Sequence, residues 1–140
     1  MSRARSIGVA LALAVLLAAA RPATAFEGPL EIAATTWLEL LDQGRFDDAW
    51  REAAPLLRDG VTQEQWVAAT RTLRSGLGRV ASRTVISKDY HRQIEGGPDG
   101  TYFTLRIRTE LAGAGERIEI VTLTAGADGQ YRTAAYGIKR

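Results

Sequence analysis

The sequence predicts an α+β domain in which three N-terminal helices pack on a curved four-stranded antiparallel sheet. Three observations carry that expectation. The apolar spacing changes after Gly78 from a helical period of about 3.6 to a strand period of about 2. A complete helix-start signal stands at Thr62, where Gln65 follows three residues later as a capping box. The later segments are separated by short, glycine-rich turns, which suits an antiparallel meander better than parallel crossovers.

In chain order, the first segment is an export signal. Arg3 and Arg5 give a basic start, Ile7 to Ala20 is an apolar run of 14 residues, and Ala23-Thr24-Ala25 is a small-x-small cleavage site. A membrane-spanning helix needs roughly 20 apolar residues, so the run is short for an anchor; an uncleaved N-terminal anchor is the alternative. No Arg-Arg pair is present, which favours the general secretory route. The expected division is therefore a signal peptide at 1–25 and one α+β domain at 26–140, with a periplasmic or extracellular destination and no stable membrane anchor. The chain has no Cys, so packing without disulfides must hold the domain, which fits a periplasm-like space.

The first helix opens at Pro29, where a missing N–H costs nothing. It carries Ala34, Trp37, Leu38 and Leu41 at helical spacing, and Gly44 offers a stop. A second, short helix places Phe46, Ala49, Trp50 and Ala53 on one face and ends before Pro55. The third starts at the Thr62 cap, with Val61 and Trp66 placed for a hydrophobic staple, and closes at Gly76 and Gly78. All three tryptophans lie in apolar helical stripes, as core residues or, in the sharper reading, as a stacking platform.

The first strand alternates through Val80, Ser82, Thr84 and Ile86 and runs on toward His91. The turn-dense stretch Glu95 to Gly100 leads to a second strand with Phe103, Leu105 and Ile107 on one face and Tyr102, Thr104, Arg106 and Arg108 on the other. Gly113-Ala114-Gly115 leads to a third strand from Arg117 to Thr124. Asp128-Gly129 then turns tightly into the last, Tyr131 to Ile138.

The whole chain has a formal charge of +2, but three basic residues leave with the signal. The remaining 15 basic and 16 acidic residues give −1, which removes support for a global attraction to nucleic acid. The distribution is uneven: residues 26–64 carry −6 and residues 65–140 carry +5. Either the halves attract each other within one fold, or the second half presents an anion-binding face.

Several stretches together resemble a family of small exported bacterial proteins defined as a domain of unknown function. They are Ala34-x-x-Trp37-Leu38 with Leu41-Asp42-x-Gly44, Trp50, Gln65-Trp66, Leu77-Gly78-x-Val80-x-Ser82-Arg83, Pro98-Asp99-Gly100-x-Tyr102, Glu119-x-Val121-Thr122, and Asp128-Gly129 through Tyr136-x-Ile138. The order of elements also resembles the wider cystatin-like and nuclear-transport-factor-like folds, which implies helices closing a curved sheet into a cone. That fold hosts isomerases, dehydratases, ligand binders and docking modules, so it does not choose a function. The resemblance also implies a homodimer through the sheet. One departure is Gly76, which stands where the family carries a proline.

Candidate sites are few. The absence of Cys and a single His91 leave no ligand set for zinc, and a Ser-His-acid triad would rest wholly on that His, which reads as an exposed side chain. Asp89, Glu95 and Asp99 are oxygen donors without EF-hand spacing. Tyr102, Arg106, Arg108, Arg117, Arg132 and Tyr136 are the residues a nucleic-acid surface would use, and export argues against one. Glu119 is the carboxylate of interest, mid-strand with Arg117, Val121 and Leu123 on its face. A buried carboxylate must be paired or have its pKa raised, and Arg83 and Arg106 are the expected partners. Three readings stay open: a pair that sets sheet register, a ligand-gripping pair at a cavity floor, and catalysis. For ligand binding the set is Arg83, Arg106, Glu119 and Tyr136. No catalytic residue, metal site or cofactor is assigned. The expected function is a non-enzymatic domain that binds a small ligand or a partner protein; a small cavity enzyme of the isomerase or dehydratase type is the alternative.

Overall fold

The computed structural model describes residues 28–140; the expected signal peptide at 1–25 lies outside them. Four helices precede four strands: α1 (Pro29–Asp42), α2 (Phe46–Glu52), α3 (Pro55–Gly60), α4 (Gln63–Arg74), β1 (Val80–His91), β2 (Tyr102–Leu111), β3 (Gly115–Ala125) and β4 (Tyr131–Lys139). The strands form one open antiparallel sheet in the order β1-β2-β3-β4. No helix among the described residues is long and apolar enough to cross a membrane.

The helix count corrects the expectation of three. Pro55 does force the preceding residue out of helical geometry, with Ala54 extended at φ −62° and ψ 151°. It then occupies the first turn of a new helix, where its fixed φ is already helical. The Ala54 N–H donates to the Thr133 carbonyl at 2.8 Å, so α3 docks on the edge strand β4. That contact shields an edge that would otherwise offer unpaired backbone groups.

The α4 start is as expected: Thr62 Oγ1 accepts from the Gln65 N–H at 3.2 Å, and Gln65 Oε1 accepts from the Thr62 N–H at 3.1 Å. At the helix-to-sheet corner, Gly76 takes φ +75° and Gly78 φ +73°. Proline is locked near −65°, so the proline that the resemblance leads one to expect at position 76 does not fit this backbone.

The core lies between α1 and the inner sheet face. Ala34, Trp37, Leu38 and Leu41 meet Leu105, Ile107, Val121 and Leu123, all essentially buried. Each indole N–H is committed to a carbonyl: Trp37 to Ala49 at 2.9 Å, Trp50 to Val61 at 2.9 Å and Trp66 to Phe46 at 3.0 Å. The tryptophans therefore tie the helices to one another as well as filling the core. Trp37 also packs on Trp66 and edge-on to Tyr136, with ring centroids 5.8 and 5.5 Å apart.

Three irregularities decide which side chains face inward, the first being a shift in β1 between Val80 and Ser82 that brings Arg83 to the face Val80 occupies. In β1 the register shifts between Val85 and Ser87, so Lys88 and Tyr90 join Arg83 and Val85 on the inner face. In β4 it shifts between Ala135 and Thr133, and Thr133 and Tyr131 turn inward with Tyr136.

Candidate functional site

Glu119 sits at the centre of the inner sheet face, wholly buried. Ile107 on β2 and Ile138 on β4 are its cross-strand neighbours. A carboxylate has about four lone-pair sites, and the chain itself supplies a donor for each. Oε1 accepts from Arg83 Nε at 2.8 Å and Thr109 Oγ1 at 2.6 Å. Oε2 accepts from Arg74 Nη1 at 3.1 Å and the Tyr136 hydroxyl at 2.7 Å.

Asp42, the last residue of α1, closes the network from the other side. Its carboxylate takes a bidentate fork from Arg83 Nη1 and Nη2 at 2.6 and 2.7 Å, and a third bond from Arg74 Nη2 at 2.6 Å. Two guanidinium groups thus lie between two carboxylates, and the cluster is neutral. Of its four charged side chains, Asp42 keeps the most exposure, at 24%.

The electrostatics follow from this geometry. Burial pushes the Glu119 carboxyl up, but the Arg83 charge and the bonds from Arg83, Thr109 and Tyr136 outweigh it, so the group titrates below the usual carboxylate range. Burial lowers Arg83, and its bonds to Asp42 and the Glu119 charge more than reverse that, raising it. Burial, with the neighbouring Glu119 charge, raises the Tyr136 phenol. Both shifts favour an anionic Glu119 and a neutral Tyr136 near neutral pH.

Of the expected site residues, the structure brings Arg83, Glu119 and Tyr136 together. Arg106 is not among them: it pairs with Ile120 across the β2–β3 ladder and is exposed on the outward face. Its parity is the reason, because Leu105, Ile107 and Thr109 are the β2 residues that face inward. Thr109, Arg74 and Asp42 take part instead. Sequence reasoning missed Asp42; the charge asymmetry between the two halves of the chain is the signal it belongs to, since it joins the acidic helical part to Arg74 and Arg83, but that signal singles out no one acid. A second link of that kind is the ion pair between Lys88 and Glu31. There the Lys88 hydrogen bond holds the Glu31 carboxyl below its ordinary value against the effect of burial. His91 is exposed at the end of β1, and Asp99 accepts a hydrogen bond from Gln93 at 2.8 Å.

Open grooves lie elsewhere. A groove of about 500 Å³ runs between α1, the end of α2 and the start of β4, lined by Ala33, Thr36, Trp37, Arg51, Glu52, Gln130, Tyr131, Arg132 and Thr133. That volume is within the range of small-molecule sites. Thr133 is 1% exposed, and its hydroxyl is buried without a hydrogen-bond partner. Tyr131 is the last ring of an aromatic row that crosses the inner face from Tyr90 through Phe103, with centroid spacings of 5.6 and 5.8 Å.

Residues 33–136 match the family described as "Protein of unknown function (DUF4019)". The chain belongs to the DUF4019 family. The matched span includes every member of the Glu119 network and the whole groove lining. No curated protein matches this DUF4019 chain in sequence. Among solved structures it is similar to a protein from Catenulispora acidiphila, at 13% identity and a TM-score of 0.51, covering 79% of this chain and 88% of that one. It is also similar to Aln2 from a Streptomyces species, at 16% identity and a TM-score of 0.44, covering 82% and 93% respectively. At these identities the first likeness concerns the fold alone.

Proposed function

We propose that this DUF4019 protein is an exported, non-catalytic domain that holds a small ligand in the groove between α1 and β4, on a fold of the cystatin-like cone type. One observation carries the reading: Thr133, whose hydroxyl is buried without a hydrogen-bond partner, is a residue of the groove lining. An unsatisfied buried polar group costs about 1–3 kcal/mol, and a ligand with a matching donor or acceptor recovers it. Glu119 supports the same reading from the opposite direction. Its acceptor sites are all filled by the protein's own donors, so it has no lone pair left for a substrate proton. The basic start, the apolar run and the small-x-small site support export.

The test is a thermal-shift screen of the full chain, expressed with its N-terminal segment and recovered from the periplasmic fraction, against small polar metabolites. A ligand that raises the melting temperature of the native chain, and does so less for a groove variant such as Ala33→Trp, supports the proposal. Recovery only from the cytoplasm counts against export, and a hit unaffected by Ala33→Trp counts against the groove. Ile118 and Ile120 on the outward face are what a homodimer through the sheet would bury. Native mass spectrometry tests that reading, and a monomer at every concentration removes it.

A further inference from the structure

We infer that the cleft where the end of α4, the start of β3 and the end of β4 meet binds a small carboxylate with an apolar chain. The site is separate from the α1–β4 groove and does not rest on it. The cleft has a volume of about 340 Å³, within the range of small-molecule sites. Its charged side chains share one sign: Arg117, Lys139 and Arg140 line it with Leu73, Leu77 and Ile138, and no acidic side chain does. Among the described residues none of the three cations forms an ion pair. Arg117 Nη1 donates to the Ala114 and Glu116 carbonyls at 2.7 and 2.8 Å, bonds that hold the guanidinium without neutralising it. The α-carboxylate of Arg140 offsets one of the three charges. Ile118 is opposite Lys139 on the ladder, so the next step along sets Arg117 beside Arg140, and like charges held side by side repel. An anion between them relieves that repulsion and has no carboxylate to displace.

The groups that would meet the ligand are open to it. Lys139 and Arg140 are exposed, Arg117 and Ile138 are half-buried, and Leu73 keeps 43% of its surface free. Leu73 and Ile138 give an apolar chain a wall to cover, which removes exposed hydrocarbon from water. The acids nearest in sequence point elsewhere: Glu110 and Glu116 are opposite each other on the outward sheet face, where Glu116 meets Arg108 at 3.4 Å. The carbonyls at the end of α4 carry the negative end of the helix dipole, and Arg71 and Arg74 in its last turn offset them. The side-chain cations therefore set the sign, and the planar fork of a guanidinium matches a carboxylate.

The test titrates hexanoate, hexanol, hexylammonium and acetate into isotope-labelled protein produced from the full chain, followed by amide NMR shifts. Hexanoate is expected to bind tightest, by about two- to fivefold over hexanol, the range of an exposed ion pair. The shifts should centre on Leu73 to Leu77 and on Ile138 to Arg140, and added salt should shrink the preference. Lys139→Gln combined with Arg140→Gln should abolish it at an unchanged melting temperature, since both side chains are exposed. Leu73→Ser should bring hexanoate down to the affinity of acetate. Hexanol or hexylammonium binding as tightly as hexanoate overturns the inference, as does a hexanoate preference that survives the double substitution. Acetate equal to hexanoate in the native protein overturns the apolar half of it. Shifts confined to the α1–β4 groove remove this cleft and credit that groove instead, and no binding at millimolar concentration overturns the inference outright.

Discussion

Replacing Glu119 with alanine should destabilise this protein more than any other single change to its charged residues. The substitution deletes the acceptor for four donors, namely Arg83 Nε, Thr109 Oγ1, Arg74 Nη1 and the Tyr136 hydroxyl. It also turns a neutral cluster into one with two guanidinium groups facing the single carboxylate of Asp42. Taken bond by bond, charge-assisted hydrogen bonds at about 1.5–3 kcal/mol each would suggest a much larger loss. Burying the carboxylate already costs several kcal/mol per ion in the native protein, and the variant is freed of that term. Breaking one partner out of a buried pair nets about 3–5 kcal/mol. For a domain of this length that corresponds to a fall in melting temperature on the order of 10–20 °C, or about 2 M in urea midpoint at an ordinary m-value. Circular-dichroism melts and urea titrations of the two proteins measure it. Arg106→Ala is the internal control: Arg106 is exposed on the outward face, and its removal should change stability by no more than about 0.5 kcal/mol. A double-mutant cycle sharpens the reasoning, because removing Arg83 together with Glu119 restores neutrality with one Arg74–Asp42 pair. The double variant should therefore lose less than the sum of the singles. A Glu119→Ala loss below about 1 kcal/mol, or equal to that of Arg106→Ala, would refute the structural account of Glu119.

Three further outcomes follow from the same geometry. Because Glu119 titrates lower in the folded protein than in the unfolded chain, its contribution is fully present above the ordinary carboxylate pKa and is lost as pH falls through the folded value; acid denaturation should thus be less steep in Glu119→Gln, read as urea midpoint against pH. Tyr136 has the opposite sense: its phenol is raised, so its contribution holds below about pH 10 and falls above it. Tyr136→Phe should remove that alkaline loss and cost about 1–3 kcal/mol at neutral pH, since the hydroxyl both donates to Glu119 and accepts from Arg74. Thr62→Ala removes one half of the α4 capping box and should cost about 1 kcal/mol in equilibrium unfolding, with Gln65→Ala costing less.

Much of the fold was legible because local rules and tertiary packing agree along most of this chain. The strict alternation of Leu105 and Ile107 with Arg106 and Arg108 put β2 on one buried face, and the register places those residues accordingly. The Thr62–Gln65 box marked the start of α4 to the residue. What failed were the places where a single residue has two roles. Pro55 ends one helix and begins another, and a reading that stopped at its first effect lost α3. Arg106 was paired with Glu119 on charge alone, although its parity opposes Ile107, the residue that faces Glu119 across the ladder.

The groove was hidden for a different reason, and the reason bears on function. Alternation counted back from Tyr136 would place Ala134 and Arg132 on the inner face, with Thr133 and Tyr131 turned outward. The irregularity at Ala134 reverses that parity for the start of β4. No residue type announces it, since alanine is neither a turn former nor a strand breaker; with the bulge in place, Tyr136 reaches Glu119 and the Thr133 carbonyl accepts from the Ala54 N–H at the N-cap of α3. One bulge therefore serves two ends. It lets Tyr136, after the bulge, close the Glu119 network, and it sets Thr133 and Tyr131, before the bulge, in the lining of the groove beside α1. A simpler strand would have put an alanine methyl there, at no cost in unsatisfied polar atoms. The fold instead carries a buried hydroxyl with no protein partner, as it also does at Ser87.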